Sequence, residues 1–227
     1  MRTLRVLQSG LTLAVILLGW RAAWAAETYD LRKYLPMNQG DSWTYEHKQG
    51  GRTTTDDLVV TVQGTKEIGG SKFMVRKQTN GVIDYYKHSA KGVELAGGKA
   101  KSPIGLIDWS VATPIIYPAA CKLAQPYIQK MKGKSGPKLP LMPLAKNLNM
   151  TCTFTALDEE TVKTPARKFE KCLRCKIVID AGKVLGTESK TVRTMWLAKG
   201  IGEVKAEITY GDGETHYYVL KSAEKGE

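Results

Sequence analysis

The stretch Thr191–Ile208, TVRTMWLAKGIGEVKAEI, decides the fold class. Thr191, Arg193 and Met195 alternate with Val192, Thr194 and Trp196. Gly200-Ile201-Gly202 then breaks the run, and Val204, Ala206 and Ile208 resume the two-residue period. That period belongs to a half-buried strand, so the stretch reads strand, turn, strand. YLPMNQGDSWTYE at Tyr34–Glu46 opens a unit of the same kind. Between and beyond them lie Gly69-Gly70, Asn80-Gly81 and Asp212-Gly213, dipeptides that tolerate the positive φ of tight hairpins. Together these signals predict an antiparallel, mainly β chain.

A weak internal repeat refines the expectation. Pro36 precedes Trp43-Thr44-Tyr45 as Pro143 precedes Met150-Thr151-Cys152, and return strands open on Lys72-Phe73 and Lys168-Phe169. Each copy then reaches an aromatic strand ending in a Lys-Gly turn. The expected architecture is a large curved antiparallel sheet, a half-barrel of two similar meanders (26–108 and 150–227), with one covering helix. The helix is expected within a 109–149 insertion. Ala120, Ala124, Tyr127, Ile128 and Met131 stand there at helical spacing, interrupted by Pro126, and Gly133–Pro143 reads as a basic loop.

Met1–Ala25 has the layout of a secretory signal. Arg2 and Arg5 precede the apolar Leu11–Gly19, and Ala23-Trp24-Ala25 supplies a small-x-small cleavage site. The apolar run is too short to span a bilayer, and no cysteine lies beside the site for lipid attachment. The expected product is a single β-rich domain, 26–227, exported to the periplasm or secreted. The formal charge of +12 falls to +9 when Arg2, Arg5 and Arg21 leave with the signal. Such an excess suits an anionic partner: a lipid or amphiphile, an anionic membrane surface or an acidic envelope protein. For an exported chain nucleic acid is not expected. The basic charge concentrates in Trp109–Leu157, which has no acidic residue but carries Lys122, Lys130, Lys132, Lys134 and Lys138 as candidate contacts.

Four cysteines, Cys121, Cys152, Cys172 and Cys175, are disulfide candidates in an oxidising compartment, with the pairing open. Phe169, Leu173, Cys175, Ile177 and Ile179 share one strand face and Cys172 takes the other, so Cys172 and Cys175 are not expected to pair. The C-x-x-C spacing sits in strand-like surroundings and does not read as a redox motif. His47, His88 and His216 fall on separate strands. The sequence holds no hydrolase elbow, zincin or phosphate-loop signature, so neither metal nor cofactor is expected and the chain is not read as an enzyme. Trp43, Tyr45, Phe73, Tyr86 and Trp196 are candidate lining of a cavity within the curved sheet.

The opening block, the later TPARKFEKC and the closing WLAKGIGEVK together resemble uncharacterised secreted bacterial proteins with a Leu-Pro-x-x-x-Gly-x-x-Trp-x-Tyr opening and a Trp-x-Ala-x-Gly-Ile-Gly-x-Val-Lys close. This chain departs from their pattern at Arg167, which replaces a glycine. The resemblance implies a curved half-barrel similar to the periplasmic lipoprotein-carrier (Lol-type) proteins, and it brings no catalytic residues. Two functions follow as expectations: an exported binder of an anionic amphiphile, or an envelope interaction module whose β core is filled.

Overall fold

The structure is a computed structural model describing residues 27–226 except 55, 103–104, 137, 140–141, 144–145 and 185–186; side chains at 101–107, 135–146 and 183–188 also stand outside the described set. The expected signal, Met1–Ala25, falls outside the described residues. Twelve strands follow one another: β1 (Ser42–Gln49), β2 (Leu58–Ile68), β3 (Ser71–Gln78), β4 (Ile83–Ser89), β5 (Gly92–Ser102) and β6 (Gly105–Pro118), then β7 (Pro126–Gly136), β8 (Lys146–Lys163), β9 (Lys168–Val184), β10 (Thr187–Ala198), β11 (Gly202–Thr209) and β12 (Thr215–Glu224). Each pairs antiparallel with its predecessor, and β12 returns to pair with β1 from His216↔Gln49 to Glu224↔Ser42. A two-residue flange, Arg52–Thr53, extends the sheet beside β1.

The architecture is therefore a closed up-and-down barrel, and it corrects the half-barrel expectation. Closure gives both terminal strands a partner and removes the exposed edges that an open sheet would present. The covering helix is also absent among the described residues, whose helical element is the three-residue 3₁₀ turn Leu31–Lys33. The residues expected to form it are β7. Tyr127↔Phe154, Gln129↔Cys152 and Met131↔Met150 pair with β8, and Lys130, Lys132 and Lys134 point away on the alternate side. Pro126 cannot donate within a helix but is tolerated at the first position of a strand.

The turns fall where the glycine dipeptides stand. Gly69, Gly70, Gly81 and Gly213 all have positive φ. Gly202 adds a packing demand to its turn, with φ +107 and a Cβ position only 3.2 Å from the Trp43 indole nitrogen. Inside, aromatic side chains fill the space that twelve strands enclose: Trp43, Tyr45, Tyr86, Tyr117, Phe154 and Tyr218 are all buried. Each fully buried side chain of this size contributes about 2 kcal/mol of hydrophobic stabilisation. Outward positions on the strands carry Glu46, Lys48, Lys87, Lys130, Lys176 and Lys205, so the wall is polar outside and apolar inside, the inverse of an outer-membrane barrel.

The segment before β1 closes the base. The Gly200 N–H donates to Lys33 O (2.8 Å), the Gly40 N–H to Val62 O (2.9 Å) and the Arg32 guanidinium to Ser89 O (3.2 Å). His88 Nε2 lies 2.7 Å from Leu35 O, and Thr28–Tyr29 pairs with Cys121–Lys122. Leu31 and Tyr29 are buried as the plug.

Candidate ligand-binding cup

Moving up the strands from this base, the inward side chains change from buried to half-buried at one level. Tyr86 gives way to Asp84, Cys152 to Met150, Ile177 to Ile179, Met195 to Arg193 and Ala206 to Ile208. The lower barrel is a packed core and the upper barrel is a cup. Its walls include Trp109, Val111, Met150, Ile179 and Ile208, all packed on the core below.

The floor of the cup is charged. Arg76 faces Asp84 across β3 and β4, and its guanidinium carbon lies 5.8 Å from the Trp43 ring centroid and 6.0 Å from that of Tyr86. Arg193 Nη2 donates to both carboxylate oxygens of Glu203, at 2.7 and 2.6 Å. The Tyr45 hydroxyl donates to Glu203 O at 3.0 Å, which fixes the backbone of that acid. Nε of Arg76 and Nε of Arg193 are both buried without a hydrogen-bond partner. Arg193 nevertheless keeps 26 % of its side chain accessible while Glu203 keeps 6 %, so the arginine is the more accessible member of the pair.

Burial raises the Asp84 carboxyl above the usual range, against the opposing pull of Arg76 and Arg193. Burial also pushes the Tyr86 phenol up to about 12, with nearby Asp84 adding to it. The floor thus combines one guanidinium paired with the Glu203 carboxylate and another beside a carboxyl whose pKa burial raises. At the seam between β1 and β12, His47 Nε2 lies 2.9 Å from His216 Nδ1. The His47 ring stacks on Tyr218 at 4.7 Å, and Tyr210 sits edge-on to His216.

Of the aromatic residues expected to line a cavity, Trp43, Tyr45 and Tyr86 do point inward. They border a void of about 20 Å³ beneath the floor, together with Leu35, Met74 and Gly202, and this has room for about one water. Phe73 and Trp196 lie on the outer side of the wall. Lys87 Nζ stands 4.9 Å over Phe73 and Lys205 Nζ 4.2 Å over Trp196, whose indole N–H donates to Glu160. Lys122, Lys130, Lys132 and Lys134 are exposed, and the Lys138 side chain is outside the described residues. At the base, Glu27, Tyr34, Glu159, Arg167, Lys171 and Lys199 border a groove of about 450 Å³ that mixes both signs of charge.

The expected disulfide is corrected: Cys121, Cys152, Cys172 and Cys175 are all free, buried thiols. Each is held by its own strand or loop. Cys121 Sγ donates to Tyr29 O in the plug, while Cys172 and Cys175 are separated by the alternation of β9. Burial pushes the thiols of Cys121 and Cys152 up to about 11, which suits inert core residues. Among the described residues no cluster of three or more His, Cys, Asp or Glu could hold a metal ion.

Arg76, Asp84, Arg193 and Glu203 were not legible as site residues. With Trp196 read as core, Arg193 takes the solvent face by parity. Trp196 instead lies on the outer side beneath Lys205, so the same unbroken alternation of β10 turns Arg193 and Met195 inward.

No family model matches the chain, and no curated protein does. Among solved structures it is similar to an inferred lipoprotein of Parabacteroides distasonis, with TM-score 0.48 and 14% identity over 87% of this chain and 100% of the other. It is also similar to an inferred exported protein with a YmcC-like fold from Bacteroides fragilis (TM-score 0.39, 16% identity, 85% and 99% covered). A third is the hypothetical lipoprotein YmcC of Escherichia coli (TM-score 0.44, 9% identity, 86% and 88% covered). At TM-scores under 0.5 these likenesses carry no argument about what this chain does.

Proposed function

We propose that this chain is an exported, non-catalytic binding protein of the cell envelope that holds an anionic amphiphile in its cup. The observation that carries the reading is a pair of guanidiniums, each with an unpartnered buried Nε, beneath half-buried apolar side chains of the upper barrel. A carboxylate or phosphate head suits that floor, because a guanidinium offers planar paired donors that an ammonium lacks. An acyl tail lies along Trp109, Met150, Ile179 and Ile208, where each buried methylene is worth about 0.8 kcal/mol. The signal-like start, Met1–Ala25, supports export.

The test is native mass spectrometry of mature Ala26–Glu227 from an oxidising compartment, followed by titration with dodecanoate and dodecanol. The expected result is a bound anionic lipid, with dodecanoate binding at least about tenfold tighter than the alcohol. Arg76→Met should remove most of that preference. A clean apo mass, or equal affinity for the two dodecyl ligands, would overturn the proposal in favour of the filled-core interaction module.

A further inference from the structure

We infer that the wall of the barrel also carries a docking edge for an extended, acidic segment of another protein, at a gap between β6 and β7. The ladder between these strands runs only from Val111↔Gly133 to Asp108↔Gly136. Towards the base, Ala112–Tyr117 and Tyr127–Lys132 face one another without pairing among the described residues. β5 holds the far edge of β6 over Ile115–Pro118, and β8 holds the far edge of β7. The barrel that abolishes its terminal edges thus keeps two facing half-edges here. Across the gap, the Ile116 N–H donates to the Gln129 side-chain oxygen at 2.8 Å. That glutamine does the work of a missing backbone carbonyl.

The surroundings identify the partner's chemistry. Leu123, Tyr127 and Ile128 are three of the four large apolar side chains exposed among the described residues, and Ile128 is 60% exposed. They lie on or just before β7. Lys122, Lys130 and Lys132 flank them, and no acid occurs between Trp109 and Leu157. An extended peptide supplies N–H and C=O groups in register with the open edge, which a lipid headgroup cannot. Acidic side chains on the outward face of that peptide meet Lys130 and Lys132 beside Ile128, while the apolar ones that alternate with them turn inward towards Tyr127.

The experiment uses the mature chain and two fluorescein-labelled ten-residue peptides, one alternating Glu with Val and one alternating Lys with Val. The Glu peptide is expected to bind at least about tenfold tighter and to slow amide exchange in residues 112–117 and 127–132. Ile128→Glu and Lys130→Glu change exposed positions, so they should fold normally by circular dichroism yet each weaken binding severalfold. Arg76→Met should leave the peptide affinity unchanged, which separates this edge from the cup. Equal binding of the two peptides, absence of binding, or protection elsewhere would overturn the inference. So would binding of phosphatidylglycerol vesicles through these residues without peptide binding, since the face would then be one for lipid.

Discussion

Arg193 and Arg76 stand on one floor but answer to different partners, and their removal should have different consequences. Arg193→Met strands the buried Glu203 carboxylate and is expected to cost about 3–5 kcal/mol in urea denaturation. Arg76→Met leaves Asp84, already raised towards its neutral form by burial, and should cost clearly less. Equal losses would mean that Asp84 stays ionised and depends on Arg76. The thiols give a second check at this scale. With Cys121 and Cys152 pushed up to about 11 and all four cysteines buried, iodoacetamide at pH 8 should label none of them until the barrel unfolds. Rapid labelling of the native chain would contradict the buried, undissociated thiols. Trp43 and Tyr45 were legible as inward from the alternation of β1 and their aromatic character. Phe73 and Trp196 were misplaced, because a lysine stem roofs each outward ring and gives it the burial of a core residue.

At the scale of elements, the hairpins were readable because each is a local event: Gly69-Gly70 or Asp212-Gly213 meets its φ requirement whatever the rest of the chain does. The turn of the Thr191–Ile208 hairpin is more demanding, since Gly202 must avoid both strain and the Trp43 indole. Gly202→Ala is expected to lower stability by about 1–3 kcal/mol in a urea titration. It should also loosen the Trp43 N–H to Ile201 O bond of 2.6 Å, seen as a shift in tryptophan emission. A neutral outcome would show that the turn relaxes freely. β7 is the opposite case. Tyr127, Ile128 and Met131 satisfy helical spacing, but Gln129, Met131 and Gly133 also satisfy strand alternation. The choice fell to β8, whose ten-residue register with β7 offers a backbone partner that an isolated amphipathic helix lacks.

Across the whole molecule, burial of phenols and thiols ties stability to alkaline pH. Tyr29 and Tyr86 are pushed up to about 12 and Cys121 and Cys152 to about 11, in each case chiefly by burial. A folded-state value raised above the unfolded one means that the protonated group favours the native state. That contribution is complete below pH about 9 and is lost as pH rises through about 12. The urea midpoint should therefore fall steeply across that window, and a flat profile would show that these groups are solvated. Local alternation, glycine turns, charge and the amino-terminal signal pattern were enough to determine an antiparallel β chain with an export-like start and a basic, acid-free segment. All of these depend on near neighbours in the chain. Closure of β12 on β1, the plugged base, the four-charge floor and the interrupted ladder between β6 and β7 were decided only by the tertiary structure. Each joins residues far apart in sequence, so no local pattern could record them.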